Sequence, residues 1–388
     1  MDKSQKLRKK ILFVNGHLKV GGCERSLVNL LKHMDYEKYE VELLLFEGLG
    51  VYLNEIPKEV KIIFCDIHNT YGSVFNSLHN CIRKRDWKCF QLRLMIFMKK
   101  FCGERALRYA ANVMLGKHSY DCVIAYRPGF ASDLAAYSIN SKKRITWWHH
   151  GEWIGDAQAF ATMGQYMDLI ITVSNNCKTM LAELFPKLKN KLVCIPNILD
   201  AEEIAGKVST NPYIDDCFHI VSVGRLSEEK HFVDIIPVLK ALLEKKHDVR
   251  WHLIGDGPER ERLQNMVRKN NLQNYLILEG SKENPYSYIA NADLFVHPSY
   301  VESQGLSILE AMALGIPVVV TKSAGPVEYL VDKCNGILTE QTPQSLTECV
   351  LNMIEDHVLY NEIKNNTSCP ERFSSKSVIR KIEKIIEG

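Results

Sequence analysis

The sequence predicts an α/β protein made of two doubly wound parallel sheets in series. Its 388 residues, 46% apolar and 24% charged, are sufficient for two ordinary globular domains. Short apolar runs alternate with amphipathic helical stretches through both halves, which is typical of parallel strands covered by helices. A polar segment broken by Pro212, residues 197–216, separates the two series and indicates a linker. We therefore expect an N-terminal domain over residues 1–205 and a C-terminal domain over residues 206–374, with ligands bound in the cleft between them.

The individual elements follow from the apolar runs. In the first half the predicted strands are ILFVNG, VELLLF, KIIFCD, CVIAY, RITWWHH, LIITVS and KLVCIPN. A helix is predicted over ERSLVNLLKHM, and a basic helical region follows the third strand. The second half repeats the plan with strands HIVSVGR, VRWHLIG, LILEG, LFVHPS and PVVVT and with helices VDIIPVLKALLEKK, ERERLQNMVRKN and LSILEAMALG.

Composition excludes several other classes of protein. Twelve cysteines are scattered from Cys23 to Cys369 without a C-x-x-C pair, so neither a zinc cage nor a disulfide-stapled scaffold is indicated. The basic start is followed by an apolar run, Ile11 to Val14, that is too short for the core of a signal peptide. Nowhere do about eighteen uncharged apolar residues run together, so no membrane-spanning helix is expected. These observations predict a cytoplasmic protein that is soluble or bound peripherally to the inner face of the cell membrane.

Two glutamates eight positions apart mark the most informative stretch of the second half. Glu302 is predicted in the loop after a strand, and Glu310 about two turns into the following helix. Gly305 falls at the start of that helix, where a missing side chain lets unpaired backbone N–H groups approach an anion such as a diphosphate. Glu310 would accept hydrogen bonds from the two hydroxyls of a ribose, and Glu302 would lie nearer a transferred sugar. Taken alone, the two carboxylates would also suit a solvated loop and a helix surface.

Two cations precede this stretch. Arg225 directly follows a predicted buried strand, and Lys230 comes five residues later at the mouth of the next helix. Fixed cations at the C-terminal end of a strand can neutralise a diphosphate as it leaves. A surface arginine and a surface lysine are the alternative.

Four motifs of the second half resemble the donor-binding domain of glycosyltransferase family 4, a group of retaining enzymes with the two-domain GT-B fold. They are GRLSEEKHF, GDGPERERL, PSYVESQGLSILEAMALGIPVVVT and AGPVEYL, in the order that this family shows. The resemblance implies two Rossmann-like domains facing a central cleft. The N-terminal domain, residues 1–205, would bind the acceptor, and the C-terminal domain, residues 206–374, would bind the nucleotide-sugar donor. It assigns Arg225, Lys230 and Glu302 to catalysis. The donor-binding residues that it implies in this half are Gly280, Lys282, Ser303, Gly305, Leu306 and Glu310, with the nucleotide base near Gly280 and Lys282.

Similarities in the first half are weaker. KVGGCERSL resembles the glycine-rich first loop of the family, which implies that Gly21 and Gly22 lie beside the donor phosphate and the acceptor. A plain strand-to-helix turn is the alternative. WWHHGEW resembles the Trp-x-His-Gly-Asp segment of the family and implies that His150 borders the reacting carbon, although Glu152 replaces the usual Asp and His149 adds a second histidine. A structural histidine is the alternative there.

The resemblance implies that a sugar moves from a nucleotide-sugar donor to an acceptor hydroxyl with its anomeric configuration retained. No separate nucleophile is evident, so we expect front-face substitution, in which a leaving-phosphate oxygen takes the acceptor proton and protein cations stabilise the phosphate. No D-x-D pair occurs in the sequence, and we expect neither a metal nor a cofactor. The donor is a substrate, and a UDP-sugar is preferred over a GDP-sugar. Residues 375–388 are helical in pattern, and the resemblance implies that they return toward the N-terminal domain.

A basic segment, residues 81–118, has a charge of +8 against −5 for the remainder. Its ten cations are Arg83, Lys84, Arg85, Lys88, Arg93, Lys99, Lys100, Arg105, Arg108 and Lys117, opposed by Asp86 and Glu104. Apolar side chains are interleaved with them, notably Trp87, Phe101, Leu92 and Leu107, which suits an anionic membrane surface where lipid-linked acceptors are found. Ordinary helices with a solvated basic face are the alternative. No nucleic-acid recognition motif accompanies the charge, so nucleic acid is not expected as a partner.

The expected partners are therefore a nucleotide-sugar and a glycan or lipid-linked acceptor, in the assembly of a bacterial surface polysaccharide. Two other functions stay open. A GT-B nucleotide-sugar epimerase would bind the same donor and release a free or altered sugar. A catalytically silent sugar-nucleotide-binding subunit would support a partner transferase. Acceptor-dependent turnover separates the transferase from both.

Overall fold

The computed structural model describes residues 8–48, 50–65 and 74–388 and contains two β-sheets. The strands of the N-terminal sheet are β1 (Lys9–Asn15), β2 (Tyr39–Leu45), β3 (Lys61–Phe64), β4 (Tyr120–Ala125), β5 (Ser141–Trp148), β6 (Leu169–Thr172) and β7 (Leu192–Cys194). Their spatial order is β3-β2-β1-β4-β5-β6-β7, and all neighbours are parallel. The predicted third strand extends to Asp66, which lies outside the described residues.

The C-terminal sheet repeats the plan with six strands. They are β8 (Phe218–Val223), β9 (Val249–Ile254), β10 (Leu276–Gly280), β11 (Leu294–His297), β12 (Val318–Thr321) and β13 (Ile337–Thr339). Their order is β10-β9-β8-β11-β12-β13, again with parallel neighbours. The strand order reverses between β1 and β4 in one sheet and between β8 and β11 in the other. Ligands of doubly wound sheets bind outside the carboxyl ends of the strands at such reversals.

Helices cover the faces of both sheets. The first seven are α1 (Gly22–Lys32), α2 (Val74–Lys84), α3 (Trp87–Cys102), α4 (Glu104–Leu115), α5 (Phe130–Tyr137), α6 (Ala157–Gln165) and α7 (Asn175–Leu184). The others are α8 (Ala201–Gly206), α9 (Ile235–Glu244), α10 (Arg260–Lys269), α11 (Tyr286–Ala290), α12 (Leu306–Ala313), α13 (Pro343–Glu355), α14 (His357–Asn366) and α15 (Ser375–Glu387).

Each sheet is buried on both faces, which explains its continuous apolar strands. In β1, Ile11 and Phe13 belong to one hydrophobic core while Leu12 and Val14 belong to a second core on the opposite face. Successive side chains of a strand point to opposite faces, so an unbroken apolar run is what a doubly covered parallel strand requires. The C-terminal sheet also separates two cores. The prediction of two doubly wound α/β units is confirmed.

Several helices that the apolar runs did not predict begin at side-chain caps. Asp156 accepts hydrogen bonds from two backbone N–H groups at the start of α6, and Ser174 accepts one at the start of α7. Thr342 and Asp356 cap α13 and α14 in the same way. An N-cap satisfies donors that have no partner within the helix, so it fixes the first residue.

The predicted linker is not wholly irregular. Within residues 197–216, Asp200 caps the short helix α8, which packs against α12 of the C-terminal domain. Glu203 of α8 also pairs with Lys32 of α1 at 2.7 Å. The segment therefore contacts both domains, while the domain limits at residues 205 and 374 stay a prediction.

Helix α15 packs on the N-terminal domain. Its buried residues Val378, Ile382 and Ile386 belong to the same core as β1 and β2. Lys143 of β5 donates from Nζ to the backbone carbonyl of Ile385 at 2.6 Å, and Lys9 of β1 donates to that of Ile386 at 3.2 Å. Cations at a helix C-terminus satisfy its last carbonyls and favour its dipole.

The basic segment forms helices α2 to α4, and its apolar side chains separate into two groups. Leu92 and Leu107 are buried in the N-terminal core, so the expectation that they face a membrane is wrong. Trp87 and Phe101 are 60% and 72% exposed. Seven of the cations are exposed, namely Arg83, Lys84, Arg85, Lys88, Arg105, Arg108 and Lys117. Arg93 is buried, and the side chains of Lys99, Lys100 and Glu104 lie outside the described residues.

Within residues 8–48, 50–65 and 74–388, no helix is both long and apolar enough to cross a bilayer.

Candidate functional site

Loops at the carboxyl ends of central strands meet between the two domains. Gly22, after β1, approaches Leu306, after β11, so closely that a Cβ on the glycine would lie 3.7 Å from Leu306 Cδ1. Gly151, after β5, approaches the backbone of Glu302, and a Cβ there would lie 2.9 Å from the Glu302 carbonyl carbon. A larger residue at position 151 would push this pair of loops apart. The structure thus brings the predicted first loop, the predicted histidine segment and the predicted Glu302 segment to one place.

Glu302 is a buried carboxylate held by two donors from different elements. His297, the last residue of β11, donates from Nε2 to Oε1 at 2.6 Å, and Lys230 Nζ donates to the same oxygen. Burial by itself would raise the pKa of Glu302, but the Lys230 charge and the His297 hydrogen bond lower it to about 2. Glu302 is therefore ionised at neutral pH. The side-chain hydrogen bonds that it accepts from described residues end on Oε1, which leaves Oε2 for another donor.

Arg225 and Lys230 lie on the loop that follows β8. Lys230 ends a short 3-10 turn and reaches Glu302, whereas the Arg225 side chain is exposed. The next residue, His231, has a left-handed backbone with φ +49° and stacks on the ring of Tyr300 with 3.5 Å between ring centroids. Non-glycine residues rarely adopt this conformation, so the stacked ring is what holds the end of the turn. The two predicted cations thus lie on one loop. Lys230 is paired with Glu302, and the Arg225 side chain faces solvent.

Gly305 is the N-cap of α12, as the sequence predicted for the helix start. Its φ is +77°, and a Cβ there would lie 2.7 Å from Ile308 Cδ1, so both the backbone and the packing favour glycine. Leu306 is the first helical residue, and Ser303 lies two positions before the cap. The first N–H groups of a helix have no partner within it and carry its positive dipole end. This end of α12 can accept an anion.

Glu310 is the fifth residue of α12, a little more than one turn from its start rather than two turns. Its Oε1 accepts a hydrogen bond from Tyr286 Oη at 3.3 Å. Burial raises the pKa of Glu310 to about 7, although the charge of Arg25 and the Tyr286 hydrogen bond act in the opposite direction. Arg25 comes from α1 of the other domain, where its guanidinium lies 4.4 Å from the ring centroid of Tyr52. A partly buried carboxylate that changes its charge near neutral pH therefore lies on α12.

Gly280 and Lys282, the residues predicted near the base, form a separate group at the end of β10. The Gly280 carbonyl accepts a hydrogen bond from Gly255 N at 2.9 Å. Lys282 Nζ lies 3.2 Å from Glu279 Oε2 and 5.3 Å from the ring centroid of Tyr288. These contacts within the C-terminal domain hold the loop in place. That the loop lies beside a nucleotide base stays a prediction.

The two adjacent histidines face opposite sides of the chain after β5. His149 stacks parallel to Trp147 with 6.0 Å between centroids, and its burial lowers its pKa to about 3. His150 packs edge-on against Trp148, and burial also lowers its pKa. Its carbonyl accepts a hydrogen bond from Trp148 Nε1 at 2.8 Å, directly before Gly151 contacts the Glu302 loop. This arrangement is compatible with His150 at the reacting carbon, and that assignment stays a prediction.

Sequence reasoning missed the partners of these residues. His297 is buried and orients Glu302, and Tyr286 contacts Glu310. Gln304 joins the domains, because its Oε1 accepts from Asn197 N at 2.8 Å and its Nε2 donates to the Asn197 carbonyl at 3.3 Å. His297 lies in the predicted strand LFVHPS. A polar residue in a buried strand needs a hydrogen-bond partner, and this was the one sign in the sequence that His297 has a specific contact.

Comparison with known proteins adds the class of enzyme. Residues 213–368 match the family model described as glycosyl transferases group 1. The chain is 26% identical over 268 residues to the uncharacterized glycosyltransferase MJ1059 of Methanocaldococcus jannaschii, a match that spans 59% of this chain and 66% of that protein. It is 25% identical over 351 residues to the N-acetylgalactosamine-N,N'-diacetylbacillosaminyl-diphospho-undecaprenol 4-alpha-N-acetylgalactosaminyltransferase of Campylobacter jejuni, spanning 89% and 90% of the two chains.

The fold is shared with a solved structure that covers nearly the whole chain. Anabaena HepE, in complex with UDP and glucose, superposes with a TM-score of 0.71 at 20% identity, covering 98% of this chain and 100% of that one. Two Rossmann-like domains with parallel sheets in this arrangement constitute the GT-B fold, so the fold prediction is confirmed. The similarities of sequence are to glycosyltransferases, and they support that enzyme class over the two alternatives.

Proposed function

We propose that this protein is a metal-independent, retaining glycosyltransferase of family 4 that moves a hexosyl or related sugar from a nucleotide-sugar to an acceptor hydroxyl. The observation that carries the proposal is the meeting of Glu302, with Lys230 bound to it, and the start of α12 against the Gly22 and Gly151 loops of the other domain. A cation and a helix N-terminus suit the negative charge of a diphosphate, and a carboxylate beside them can accept hydrogen bonds from the hydroxyls of the attached sugar.

The donor is proposed to lie along the C-terminal side of the cleft. Its diphosphate takes the N-terminus of α12 at Gly305, with Arg225 and Lys230 beside it. Its ribose hydroxyls donate to Glu310, and its base lies toward Gly280 and Lys282. Glu302 Oε2, which the described donors leave open, accepts from a hydroxyl of the transferred sugar.

The chemical step follows from these positions. The acceptor hydroxyl attacks the anomeric carbon from the face that the phosphate leaves, a leaving-phosphate oxygen takes the hydroxyl proton, and the configuration is kept. Arg225, Lys230 and the α12 dipole stabilise the charge that develops on the phosphate. Replacement of Lys230 or Arg225 by alanine is expected to lower kcat by about 100-fold or more, as loss of one preorganised donor does elsewhere. Near-normal turnover in both variants would refute these roles.

Protein cations take the place of a metal in this proposal. Among the described residues no group of three His, Cys, Asp or Glu side chains is arranged to hold a metal ion. Transfer is therefore expected to continue in EDTA, and its loss on chelation would contradict the proposal.

The primary test is thermal stabilisation of the purified protein by UDP-, GDP-, TDP- and ADP-linked sugars. A ligand held at roughly 100 times its Kd adds about 2.7 kcal/mol to the free energy of unfolding. We expect UDP-sugars to stabilise the protein, because HepE was solved with UDP. Glu310→Ala should abolish the effect, while Glu362→Ala, an exposed helix glutamate of the same domain, should not.

Each other outcome has a definite meaning. Stabilisation without acceptor-dependent transfer would favour a silent binding subunit. Release of an altered free sugar without an acceptor would favour an epimerase. Transfer with inversion, read from the anomeric coupling of the product by NMR, would reject the retaining mechanism.

The acceptor is proposed to be a glycan or lipid-linked sugar in the synthesis of a bacterial surface polysaccharide. Support comes from the name of the Campylobacter relative, which specifies a sugar on diphospho-undecaprenol. Support also comes from the basic segment, residues 81–118, where exposed Trp87 and Phe101 are accompanied by seven exposed cations. Each basic residue near an anionic surface contributes about 1 kcal/mol of attraction.

Membrane attachment is tested by co-sedimentation with liposomes of anionic lipid at low salt. The wild-type protein should sediment, and a double variant, Trp87→Ser with Phe101→Ser, should sediment much less. Tyr166→Ser, at an exposed aromatic on another helix edge, is the matched control. Failure of the wild-type protein to sediment would remove the membrane from the proposal and leave the transferase activity untouched.

A further inference from the structure

We propose that Glu24, Arg127 and His17 form the subsite that holds the acceptor, and that this subsite takes an uncharged sugar or polyol ring rather than a phosphate group. The inference rests on the proposed transferase function and deepens it by naming the part of the acceptor that enters the cleft.

The three residues come together because their strands are neighbours. β1 pairs directly with β4, and both strands end at the same edge of the sheet. His17 lies two residues beyond the end of β1, and Arg127 lies two residues beyond the end of β4. Glu24 is in the first turn of α1, which follows the loop after β1. This is the point where the strand order reverses, and ligands of doubly wound sheets bind there.

Their contacts form one compact group. Arg127 NH1 lies 2.9 Å from Glu24 Oε1 and 3.3 Å from His17 Nε2, and His17 Nδ1 lies 3.4 Å from Glu24 Oε1. The Glu24 side chain is only 4% exposed, whereas those of His17 and Arg127 are 28% and 36% exposed. A buried carboxylate thus lies beneath a ring and a guanidinium that are open to solvent.

The group adjoins the donor side of the cleft. Glu24 Oε2 occupies the space that a Cβ on Gly21 would need, so this oxygen lies against the first loop. The next residue of that loop, Gly22, faces Leu306 at the start of α12. A molecule bound to Glu24 and Arg127 is therefore next to the helix end where the donor diphosphate is proposed to sit.

Glu24 and Arg127, two members of the group, carry opposite charges and lie in direct contact. The nearby cation Lys19 is paired with Glu47 at 2.5 Å. His149 and His150 follow the neighbouring strand β5. Burial and the Arg127 charge lower the pKa of both histidines, so they are uncharged at neutral pH. A phosphate would be repelled by the Glu24 carboxylate, and the Arg127 charge that could attract it is already paired with that carboxylate.

Hydroxyl groups suit the same atoms. Glu24 Oε2 can only accept hydrogen bonds, and the remaining N–H groups of Arg127 can only donate them. Adjacent hydroxyls of a sugar ring both donate and accept, so one ring can use both partners at once. Neither residue needs to transfer a proton, because the acceptor proton goes to the leaving phosphate in the proposed reaction. Glu24 and Arg127 are thus positioning residues.

The experiment uses the full chain, the UDP-sugar that stabilises it best, and two sets of acceptor probes. One set contains the methyl glycosides of glucose, galactose, N-acetylglucosamine and N-acetylgalactosamine, and the other contains the 6-phosphates of the same sugars. Initial rates give the acceptor KM, the donor KM and the slow hydrolysis of donor without acceptor. The variants are Arg127→Met, Arg127→Lys and Glu24→Gln, of which Arg127→Lys keeps the charge and loses the planar fork.

The control is Lys142→Met. Lys142 pairs with Asp121 at 2.7 Å at the opposite, amino-terminal end of β4 and β5, so this substitution removes a more exposed ion pair of the same domain away from the cleft.

The wild-type protein should glycosylate neutral glycosides in preference to their phosphates. Arg127→Met and Glu24→Gln should raise the acceptor KM by about 10- to 100-fold, the loss expected for a hydrogen bond to a charged group, with Arg127→Lys in between. The donor KM and the rate of donor hydrolysis should stay within about twofold of the wild-type values, a difference of about 0.4 kcal/mol. A residue that only supports the fold would change all three quantities together.

Transfer to the phosphorylated probes alone, transfer to neither set, or an unchanged acceptor KM in Arg127→Met would overturn the inference while donor hydrolysis still upheld the proposed function. Absence of donor binding and hydrolysis in the wild-type protein would overturn both.

Discussion

Glu302 is oriented by Lys230 and by His297, whose side chain makes no other hydrogen bond among the described residues. His297 Nε2 carries a proton, because the carboxylate oxygen that it faces only accepts hydrogen bonds. Its Nδ1 is buried and has no hydrogen-bond partner among the described residues, so the side chain contributes through Nε2 alone. The ring therefore fixes Oε1 together with Lys230, and neither donor binds Oε2.

This role can be tested with two substitutions of the same histidine. His297→Phe keeps the ring and removes the donor, so kcat should fall by about 10- to 100-fold, the loss expected for one hydrogen bond to a charged group. His297→Gln places an amide N–H near the position of Nε2 and should restore most of the activity. Steady-state kinetics with thermal melting of both variants separates orientation from folding. Equal kcat in the two variants would show that the hydrogen bond has no role in positioning Glu302.

Glu310 predicts a pH dependence of donor binding. Burial raises its pKa to about 7, so the side chain is mostly protonated at pH 6 and mostly ionised at pH 8. A ribose diol donates two hydrogen bonds, which only the ionised carboxylate can accept on both oxygens. The affinity for a nucleotide-sugar should therefore rise by about tenfold between pH 6 and pH 8.

Calorimetric titration with UDP-glucose suits this measurement, because its diphosphate is esterified at both ends and does not titrate in that range. Glu310→Gln should bind weakly and with no pH dependence. A wild-type affinity that is constant from pH 6 to pH 8 would remove Glu310 from the ribose site.

For individual residues, the sequence predicted where the motif residues lie but not which side chains contact them. Glu302, Glu310, Arg225, Lys230 and Gly305 were found because their spacing relative to a strand and a helix start has a physical meaning. Their partners His297, Tyr286 and Arg25 come from other elements, and Arg25 comes from the other domain. A contact between distant parts of the chain leaves no periodic signal, so it became visible only with the fold.

The N-terminus of helix α7 contacts the C-terminal domain. The Glu328 carboxylate of the C-terminal domain accepts from Asn176 N at 2.6 Å and from Asn175 Nδ2 at 3.2 Å. Asn176 Nδ2 in turn donates to the Ala324 carbonyl at 2.7 Å. An anion at a helix N-terminus is stabilised by the helix dipole, here across the domain boundary. This contact favours the arrangement of domains that the structure shows.

Removal of that anion is expected to shift the protein toward more open arrangements. Glu328→Gln should lose about 1 kcal/mol of interdomain stabilisation, or about a fivefold change in the ratio of closed to open molecules. Small-angle X-ray scattering should show a larger radius of gyration in the variant. Glu340→Gln, which breaks an exposed pair with Lys322 in the same domain, is the control and should leave the radius unchanged. An identical radius in all three proteins would show that Glu328 does not hold the domains.

The elements themselves were predicted unevenly. Buried parallel strands were found, because both faces of the sheet are covered and the apolar run is unbroken. The short helices α5, α6 and α7 were missed, since their apolar stripes are brief. Single capping residues, Asp156 and Ser174, mark the starts of α6 and α7, while α5 begins after Gly129 without a side-chain cap. The polar composition of residues 197–216 concealed α8, a helix of six residues held by packing and by charged partners.

Over the whole molecule, stability is expected to depend on α15. Ile382 is buried in the N-terminal core, although its helix follows the entire C-terminal domain in sequence. Ile382→Ala should lower the free energy of unfolding by about 2–5 kcal/mol, the range for large-to-small changes in a core. Lys384→Ala, on an exposed face of the same helix, should change it by less than about 0.5 kcal/mol.

Chemical denaturation of both variants provides the comparison. Removal of roughly the last twelve residues should destabilise both domains, since α15 joins them. Unchanged melting and activity after that truncation would show that the helix is dispensable.

The return of α15 has a consequence for the order in which the protein can fold during synthesis. The last strand of the N-terminal sheet is complete at Cys194, but the core that it helps to form receives Val378, Ile382 and Ile386 only after the whole C-terminal domain has been translated. At about 5–20 residues per second, the ribosome needs roughly 9–36 s to make the intervening chain. During that time one apolar surface of the nascent N-terminal domain stays uncovered, and a chaperone or the emerging second domain must keep it from aggregating.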